Sequence, residues 1–479
     1  MKNIDEQAAY TYPSRRDFLK WTVGSSVCLG GGLPFLPISS LKAAEAAKDR
    51  PKNILLVITD QQHFNTIAAG GCSHLKTPAM DRLYEQGTLF EASYSTNPVC
   101  SPARSSIFTS RTSSETTVYI NGKGIPSKIP SMGDWFTQHT KYETVYAGKW
   151  HLPRTYTYSI PGFKVINTGL EGAGYICDPV VSRACEAYIR NRPTDQSFLM
   201  VASFMQPHDI CEWLRLNTEC PPELRYPELE GQLPPLPKNF DYDKQEPESL
   251  VKLRLNGDPF IGKSKWNSQQ WRYFQWCYYR HIEMVDAEIG RLLEALEETN
   301  RLEDTLIVFT SDHGEGLGHH QTVRKGTLYD ESLRVPLIFS WPGHIKQRYT
   351  CSSVPVSGLD ILPTLCDYAQ IPMPEKVRGI SLKPVLEGKP LERAYVVSEV
   401  SSNTGRMVRT KRYKYIKYID DPVEQLFDME KDPEEMKNLA GNSEYAAVIK
   451  EHRQMLATWE NQLEVEDDIP YAGQWRKIV

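Results

Sequence analysis

Four short runs along the chain are apolar at nearly every position and lead straight into a polar residue of chemical interest. "NILLVIT" runs into Asp60, "YETVYAG" into Lys149, "SFLMVASFMQP" into His208 and "TLIVFTS" into Asp312. A strand buried on both faces reads as such a continuous run, whereas a half-exposed strand alternates. Helical stretches separate the runs, so the pattern predicts an α/β protein with a mixed, mostly parallel sheet sandwiched by helices. In open α/β sheets ligands bind beyond the carboxyl ends of the strands, and four distant segments are therefore expected to meet at one site.

The remaining pattern fills in around that sheet. Residues Trp266 to Asn300 predict one long amphipathic helix, with Phe274, Tyr278, Ile282, Val285, Ile289, Leu292 and Leu296 on a single face. These read as core. The stretch Leu214 to Lys263 is rich in Pro, Glu and Asp and reads as an insertion wrapping the surface, either a pocket-shaping loop or a plain solvated one. After Pro374 the texture changes to short alternating strands and a terminal helix, which predicts a smaller α+β subdomain over 375–479 beside a main domain over 48–374.

The N-terminus is a different kind of segment. Residues 1–47 join Arg15 and Arg16 to a modestly apolar stretch and an Ala-rich end, the layout of a twin-arginine export signal. The expected location is periplasmic or secreted, with the twin-arginine machinery as export partner. No later apolar run is long enough to span a bilayer, so no transmembrane segment is expected in the mature protein. Cys28 lacks a convincing lipobox. A net charge of -5 over 479 residues gives no footprint for nucleic acid. In an oxidising compartment Cys177 with Cys185 and Cys211 with Cys220 are conceivable local bridges, although buried thiols are expected for most cysteines. No C-x-x-C pair occurs, which speaks against structural zinc.

The strand ends carry the chemistry. Asp60 and Asp312 are each followed by a second coordinating side chain, Gln61 and His313. Such hard donors favour calcium, magnesium or manganese, though either aspartate alone could be a helix cap. Lys149 and His151 are spaced by two, so an extended backbone would aim both the same way. At an anion site the ammonium would neutralise an oxyanion while the imidazole exchanges protons; an ordinary surface turn is the alternative. His208 could protonate a leaving group or cap a helix, and Lys325 adds a further cation. Cys100 precedes Pro102, a residue suited to a first helical turn, with Arg104 one turn on. A positive helix terminus would activate the thiol, yet thiolates match hard metals poorly.

"CSPAR" resembles the C-x-P-x-R signature of the formylglycine-dependent sulfatases, the type I sulfatases of the alkaline-phosphatase-like superfamily. The order of "NILLVITDQQ", "CSPAR", "GKWH", "QPHD", "TSDHGEGLGHH", "RKGTLYDESLRVPLIFSWPG" and "SLKPVLEG" is similar to that family's, from about Lys52 to "LFDMEKDPEEMKNLA". The resemblance implies an alkaline-phosphatase-like fold and a hydrolase of sulfate esters. It implies that a maturation enzyme reads Ser101 to Arg104 and converts Cys100 to formylglycine, whose hydrate places one oxygen on a divalent metal, calcium first, and attacks sulfur with the other. Asp60, Gln61, Asp312 and His313 would complete the metal site, with Mg2+ or Mn2+ as alternatives. Arg104 would support the diol, Lys149 and Lys325 the sulfate oxygens, His208 the leaving alcohol, and His151 the final expulsion of sulfate.

Two departures keep other readings open. Many sulfatases carry Asp-Asp and Asp-Asn where this chain has Asp60-Gln61 and Asp312-His313, and the latter pairs also resemble phosphonate monoester hydrolases and phosphodiesterases. A non-catalytic glycan-binding protein on the same fold is the third reading. Export together with 25 Tyr and 10 Trp fits a sulfated carbohydrate substrate, since aromatic faces stack on sugars. Candidate specificity positions are Asp209, Glu212, Trp213, His319 and His320.

Overall fold

The computed structural model describes residues 50–152, 159–167, 172–217, 222–256, 266–400 and 404–465. Residues 1–47, expected above to be an export signal, with Arg15, Arg16 and Cys28, lie outside the described residues, as does Cys220.

In chain order the strands are β1 (Asn53–Asp60), β2 (Gly87–Phe90), β3 (Ser93–Tyr94), β4 (Glu143–Gly148), β5 (Lys164–Asn167), β6 (Phe198–Pro207), β7 (Thr305–Ser311), β8 (Leu337–Ser340), β9 (Tyr349–Cys351), β10 (Val356–Ser357), β11 (Tyr395–Val400), β12 (Gly405–Thr410), β13 (Tyr413–Tyr418) and β14 (Glu424–Asp428). β1 is buried throughout, and its side chains alternate between two cores: Leu55 and Val57 enter one, Ile54, Leu56 and Ile58 the other. β6 and β7 divide in the same way, with Met200 and Ile307 on the first side and Val201 and Val308 on the second. A sheet that must bury both faces needs helices on each. Eight of the strands form one sheet in the order β5-β4-β6-β1-β7-β8-β2-β9. β5, β4, β6, β1 and β7 run parallel, and β8 is antiparallel to β7 and β2. The α/β sandwich expected from the apolar runs is present.

The first core is closed by helices Pro78–Glu85, Gly174–Asn191 and Ser268–Glu298, the second by Cys100–Thr109, Met132–His139 and Ile361–Ala369. The long helix starts at Ser268, not Trp266, because Asn267 caps it reciprocally: its side chain accepts the Gln270 N–H at 3.0 Å and Gln270 Oε1 accepts the Asn267 N–H at 2.8 Å. All seven residues assigned to its apolar face are fully buried.

Two expectations need correction. The insertion after Leu214 is not only a surface wrap, since it contains helix Glu248–Asn256 and buries Leu233, Leu250 and Asn239. The conceivable Cys177–Cys185 bridge does not form. Both lie on helix Gly174–Asn191, where eight residues of rise separate them by about 12 Å, well beyond disulfide reach.

At the C-terminal end β11 to β14 form an antiparallel meander. One face (Val397, Val408, Tyr415, Leu426) packs on helix Ala446–Asn461 through Ile449, Leu456 and Trp459. The other face (Val396, Met407, Ile416, Phe427) packs on Tyr94, Leu328, Tyr329 and Leu333.

Candidate active site

The parallel register of β1 and β7 pairs Thr59 with Ser311, which sets Asp60 and Asp312 side by side beyond the sheet. Helix Cys100–Thr109 begins at the thiol itself, after an extended Val99. Cys100 Sγ lies 3.2 Å from His313 Nε2, 3.7 Å from Lys325 Nζ and 3.9 Å from Asp60 Oδ1. Ligand atoms of Asp60, Cys100, Asp312 and His313 all fall within 4.8 Å of one another, and all four residues are buried. Two carboxylates, an imidazole and a position able to carry oxygen make a fitting cage for a hard divalent cation.

Cations surround this cluster. Lys149, directly after β4, places Nζ 2.7 Å from Asp60 Oδ2. Arg104 spends its donors around the carboxylates: Nε donates to Asp312 Oδ2 at 2.8 Å, Nη2 to Asp60 Oδ2 at 3.1 Å, and Nη1 to the Lys149 carbonyl at 2.9 Å and Ser203 Oγ at 2.8 Å. Burial pushes the Asp60 carboxyl up, but Lys149, followed by His208, Arg104 and His313, holds it well below the usual carboxylate range. Burial and then Asp60 push Asp312 the other way, so Asp60 keeps its charge more firmly of the two. For Cys100, burial and Asp60 raise the thiol, while Lys149, Lys325 and His313 outweigh them and bring it well below an ordinary thiol. Burial, Lys325 and Lys149 hold His208 down to about 3.

Gln61 adopts a left-handed backbone, φ 68°. Its Oε1 accepts from Lys325 Nζ, and its Nε2 donates to Glu315 Oε2 at 2.5 Å. Glu315 was not singled out in the sequence, although it stands three residues after Asp312. It is fully buried and also accepts the Leu317 and Arg324 N–H groups.

His151 departs from expectation in its geometry. β4 stops at Gly148, and both Gly148 (φ 96°) and His151 (φ 61°) are left-handed, so the alternation of an extended strand does not relate Lys149 to His151. Its carbonyl accepts Ser101 Oγ at 2.7 Å, which places its backbone beside the helix that starts at Cys100.

The specificity candidates separate. Asp209 is buried and accepts the N–H groups of Gly174 (2.8 Å) and Tyr175 (3.0 Å) and Gln206 Nε2 (2.8 Å), the work of a cap for helix Gly174–Asn191. Glu212 pairs with Arg215, and Trp213 is packed among Trp266, Tyr273 and Phe274 at ring distances of 5.7–6.0 Å. His320 is buried and stacked on Tyr329 at 4.1 Å. His319 keeps 22% of its side chain exposed; its Nδ1 is 2.5 Å from Asn239 Oδ1 and 3.3 Å from Glu331 Oε1. Asn239 comes from the insertion and also donates to Glu331 Oε1 at 2.8 Å.

The family model described as Sulfatase matches residues 52–371, and that described as N-sulphoglucosamine sulphohydrolase, C-terminal, matches 318–462. The chain belongs to the sulfatase family. A Delta 4,5-hexuronate-2-O-sulfatase of Bacteroides thetaiotaomicron is 31% identical to this sulfatase over 446 residues, covering 86% of the chain and 89% of that protein. A solved 2-O GAG sulfatase superposes with a TM-score of 0.77 at 29% identity, covering 88% and 96% of the two chains. The phosphonate monoester hydrolase of Agrobacterium radiobacter shares the fold, with a TM-score of 0.72 at 24% identity over 87% and 96%. Among the described residues of the sulfatase no helix is long and apolar enough to cross a membrane.

Proposed function

We propose that this sulfatase removes sulfate from sulfated carbohydrates with residue 100 acting as formylglycine. The observation that carries the reading is the position of Cys100 at the centre of a buried cluster of hard donors and cations, 3.2 Å from His313 and 3.9 Å from Asp60. A thiolate is a soft ligand and a mismatch there, whereas an oxygen at the same place fits. Asp60, Asp312, His313 and residue 100, with Gln61 beside them, would hold the ion, for which calcium suits the donor set best. When present, the ion supplies Lewis acidity and the hydrated aldehyde supplies the attacking oxygen.

The protein's own side chains do the rest. Lys149 and Lys325 flank residue 100 and offset charge gathering on the sulfate oxygens. Arg104 holds both carboxylates in place. Burial together with the same lysines keeps the His208 imidazole neutral, so an anionic sulfate bound between them lets it take up the proton it gives to the departing alcohol. His151, beside the first turn of the Cys100 helix, receives a proton from residue 100 as sulfate leaves. The carbohydrate assignment draws on the names of the relatives. Arg15 and Arg16 support twin-arginine export to the periplasm or beyond, and we retain 48–374 and 375–479 as the catalytic and C-terminal parts.

Asp60-Gln61 and Asp312-His313 favour phosphonate monoesters and phosphodiesters as the second reading. Glu315 weakens it, because its carboxylate sits directly behind Gln61. Hydrolysis of an aryl sulfate, a phosphonate monoester and a phosphodiester by one preparation is expected to favour the sulfate. Mass spectrometry of the peptide bearing residue 100 is expected to show the aldehyde. Intact thiol in a fully active preparation, or a large preference for phosphorus, would overturn the proposal.

A further inference from the structure

Next to the catalytic cluster lies a polar pair that the reaction leaves unused. His63, three residues beyond Asp60, is only 2% exposed. Its Nδ1 accepts the Asn65 N–H at 3.1 Å, so the proton of the neutral ring sits on Nε2. That Nε2–H has no partner among the described residues, and a buried donor in this state is rare and costly. The residue is firmly held: its backbone N–H donates to Tyr278 OH at 2.8 Å, and its ring stacks on Phe64 at 4.4 Å and His319 at 5.2 Å. Tyr278 OH in turn donates to the Gln61 carbonyl at 2.7 Å, which ties His63 to the catalytic turn.

Glu331 also approaches His319. Its Oε1 is 3.3 Å from His319 Nδ1 and accepts from Asn239, while its buried Oε2 has no partner among the described residues. Its backbone presses on the residue after His313: a Cβ at Gly314 would meet the Glu331 carbonyl at 2.0 Å, and the Gly314 N–H donates to Ser332 at 2.9 Å. One unsatisfied donor and one unsatisfied acceptor thus belong to residues that both contact the partly exposed His319. A hydroxyl group both accepts and donates, whereas a carboxylate or sulfate would face the Glu331 carboxylate with like charge.

We propose that His63 Nε2–H and Glu331 Oε2 form a subsite for a ring hydroxyl of the substrate sugar. This rests on the carbohydrate sulfatase reading above and adds to it a contact with the sugar ring. The test uses the full, matured enzyme with 4-nitrophenyl sulfate, the best-cleaved member of a panel of singly sulfated methyl glycosides, and the deoxy analogues of that glycoside. The unaltered enzyme is expected to lose about tenfold in kcat/KM, mainly through KM, when one particular hydroxyl is removed. His63→Ala is expected to lose about as much on the complete sugar and no longer to distinguish it from that deoxy form. His63→Gln, whose side-chain N–H reaches the place of Nε2, is expected to restore part of the discrimination. His63→Ala that still discriminates like the parent, or that falls equally on 4-nitrophenyl sulfate, overturns the subsite, as does an unchanged variant, which would mean that only water bridges the pair. Turnover of phosphonates but of no sulfated sugar would overturn the carbohydrate reading and the subsite together.

Discussion

Arg104 ties together four groups of this site. Its guanidinium is fully buried and divides its donors among Asp312, Asp60, the Lys149 carbonyl and Ser203. Only a planar fork spans those acceptors, and a lysine ammonium does not. Breaking a buried pairing of this kind costs more than forming it contributes, because the partners are left charged in a dry place. Arg104→Lys is therefore expected to lower unfolding free energy by about 3 kcal/mol and to abolish turnover. Added calcium is expected to return part of that stability by neutralising Asp60 and Asp312. Cys100→Ala, which leaves Arg104 and both carboxylates paired, is expected to lose turnover with a smaller loss of stability than Arg104→Lys. Denaturant titrations of both variants with and without calcium check this, and an Arg104→Lys protein as stable as the parent would sink it.

Between elements, carboxylates fix the strand end that delivers His208. Asp178, on helix Gly174–Asn191, accepts the N–H groups of Met205 (2.7 Å) and Gln206 (2.8 Å) at the end of β6, while Asp209 reaches back to the first turn of that helix. Burial outweighs these bonds and pushes the Asp178 carboxyl up to about 7. An unfolded aspartate titrates near 4, so between about pH 4 and 7 the folded state holds more protons and stability falls as pH rises. Asp178→Asn cannot ionise and is expected to lose that part of the slope. Unfolding free energies of the two proteins from pH 4 to 8 measure it, and equal slopes would refute the assignment. The strands and the residues at their tips, Asp60, Lys149, His208 and Asp312, were legible because a doubly buried strand carries its signature within itself. Glu315, Asn239, His63 and Glu331 were not. Glu315 and Glu331 share motifs with catalytic residues, and His63 directly follows one, but they act through contacts that spacing does not encode, and Asn239 meets Glu331 across 92 residues of chain. Nor were the partners of Asp209 and Trp213 legible: the helix turn that Asp209 caps and the rings around the half-buried Trp213 come from distant segments.

At the level of the whole molecule, every side chain assigned to the reaction precedes residue 326, yet the C-terminal sheet holds the site together. Lys414, fully buried on β13, places Nζ 2.8 Å from Asp330 Oδ1 and 2.6 Å from Glu435 Oε1. Asp330 begins the short helix Asp330–Leu333 that contains Glu331, and its N–H donates to Glu435 Oε2 at 2.7 Å. Arg409 on β12 donates to Tyr94 OH at 2.9 Å, the Glu399 N–H on β11 donates to the Thr96 carbonyl at 2.8 Å, and Glu399 Oε2 accepts the Ser114 N–H at 3.1 Å. The sheet thus grips both chain segments that bracket the catalytic cluster, the one leading to Cys100 and the one following Lys325. Lys414→Met fills much the same space but removes the cation that Asp330 and Glu435 share, leaving Asp330 with Arg334 at 3.7 Å, which is expected to cost about 3 kcal/mol. Because the strain falls on the segment carrying Glu331, kcat is expected to drop along with the melting temperature, and a chain ending at residue 374 is expected to release no sulfate. A Lys414→Met enzyme that keeps both the parental melting temperature and kcat would show that the C-terminal sheet is an appendage and that the main sheet positions the site alone.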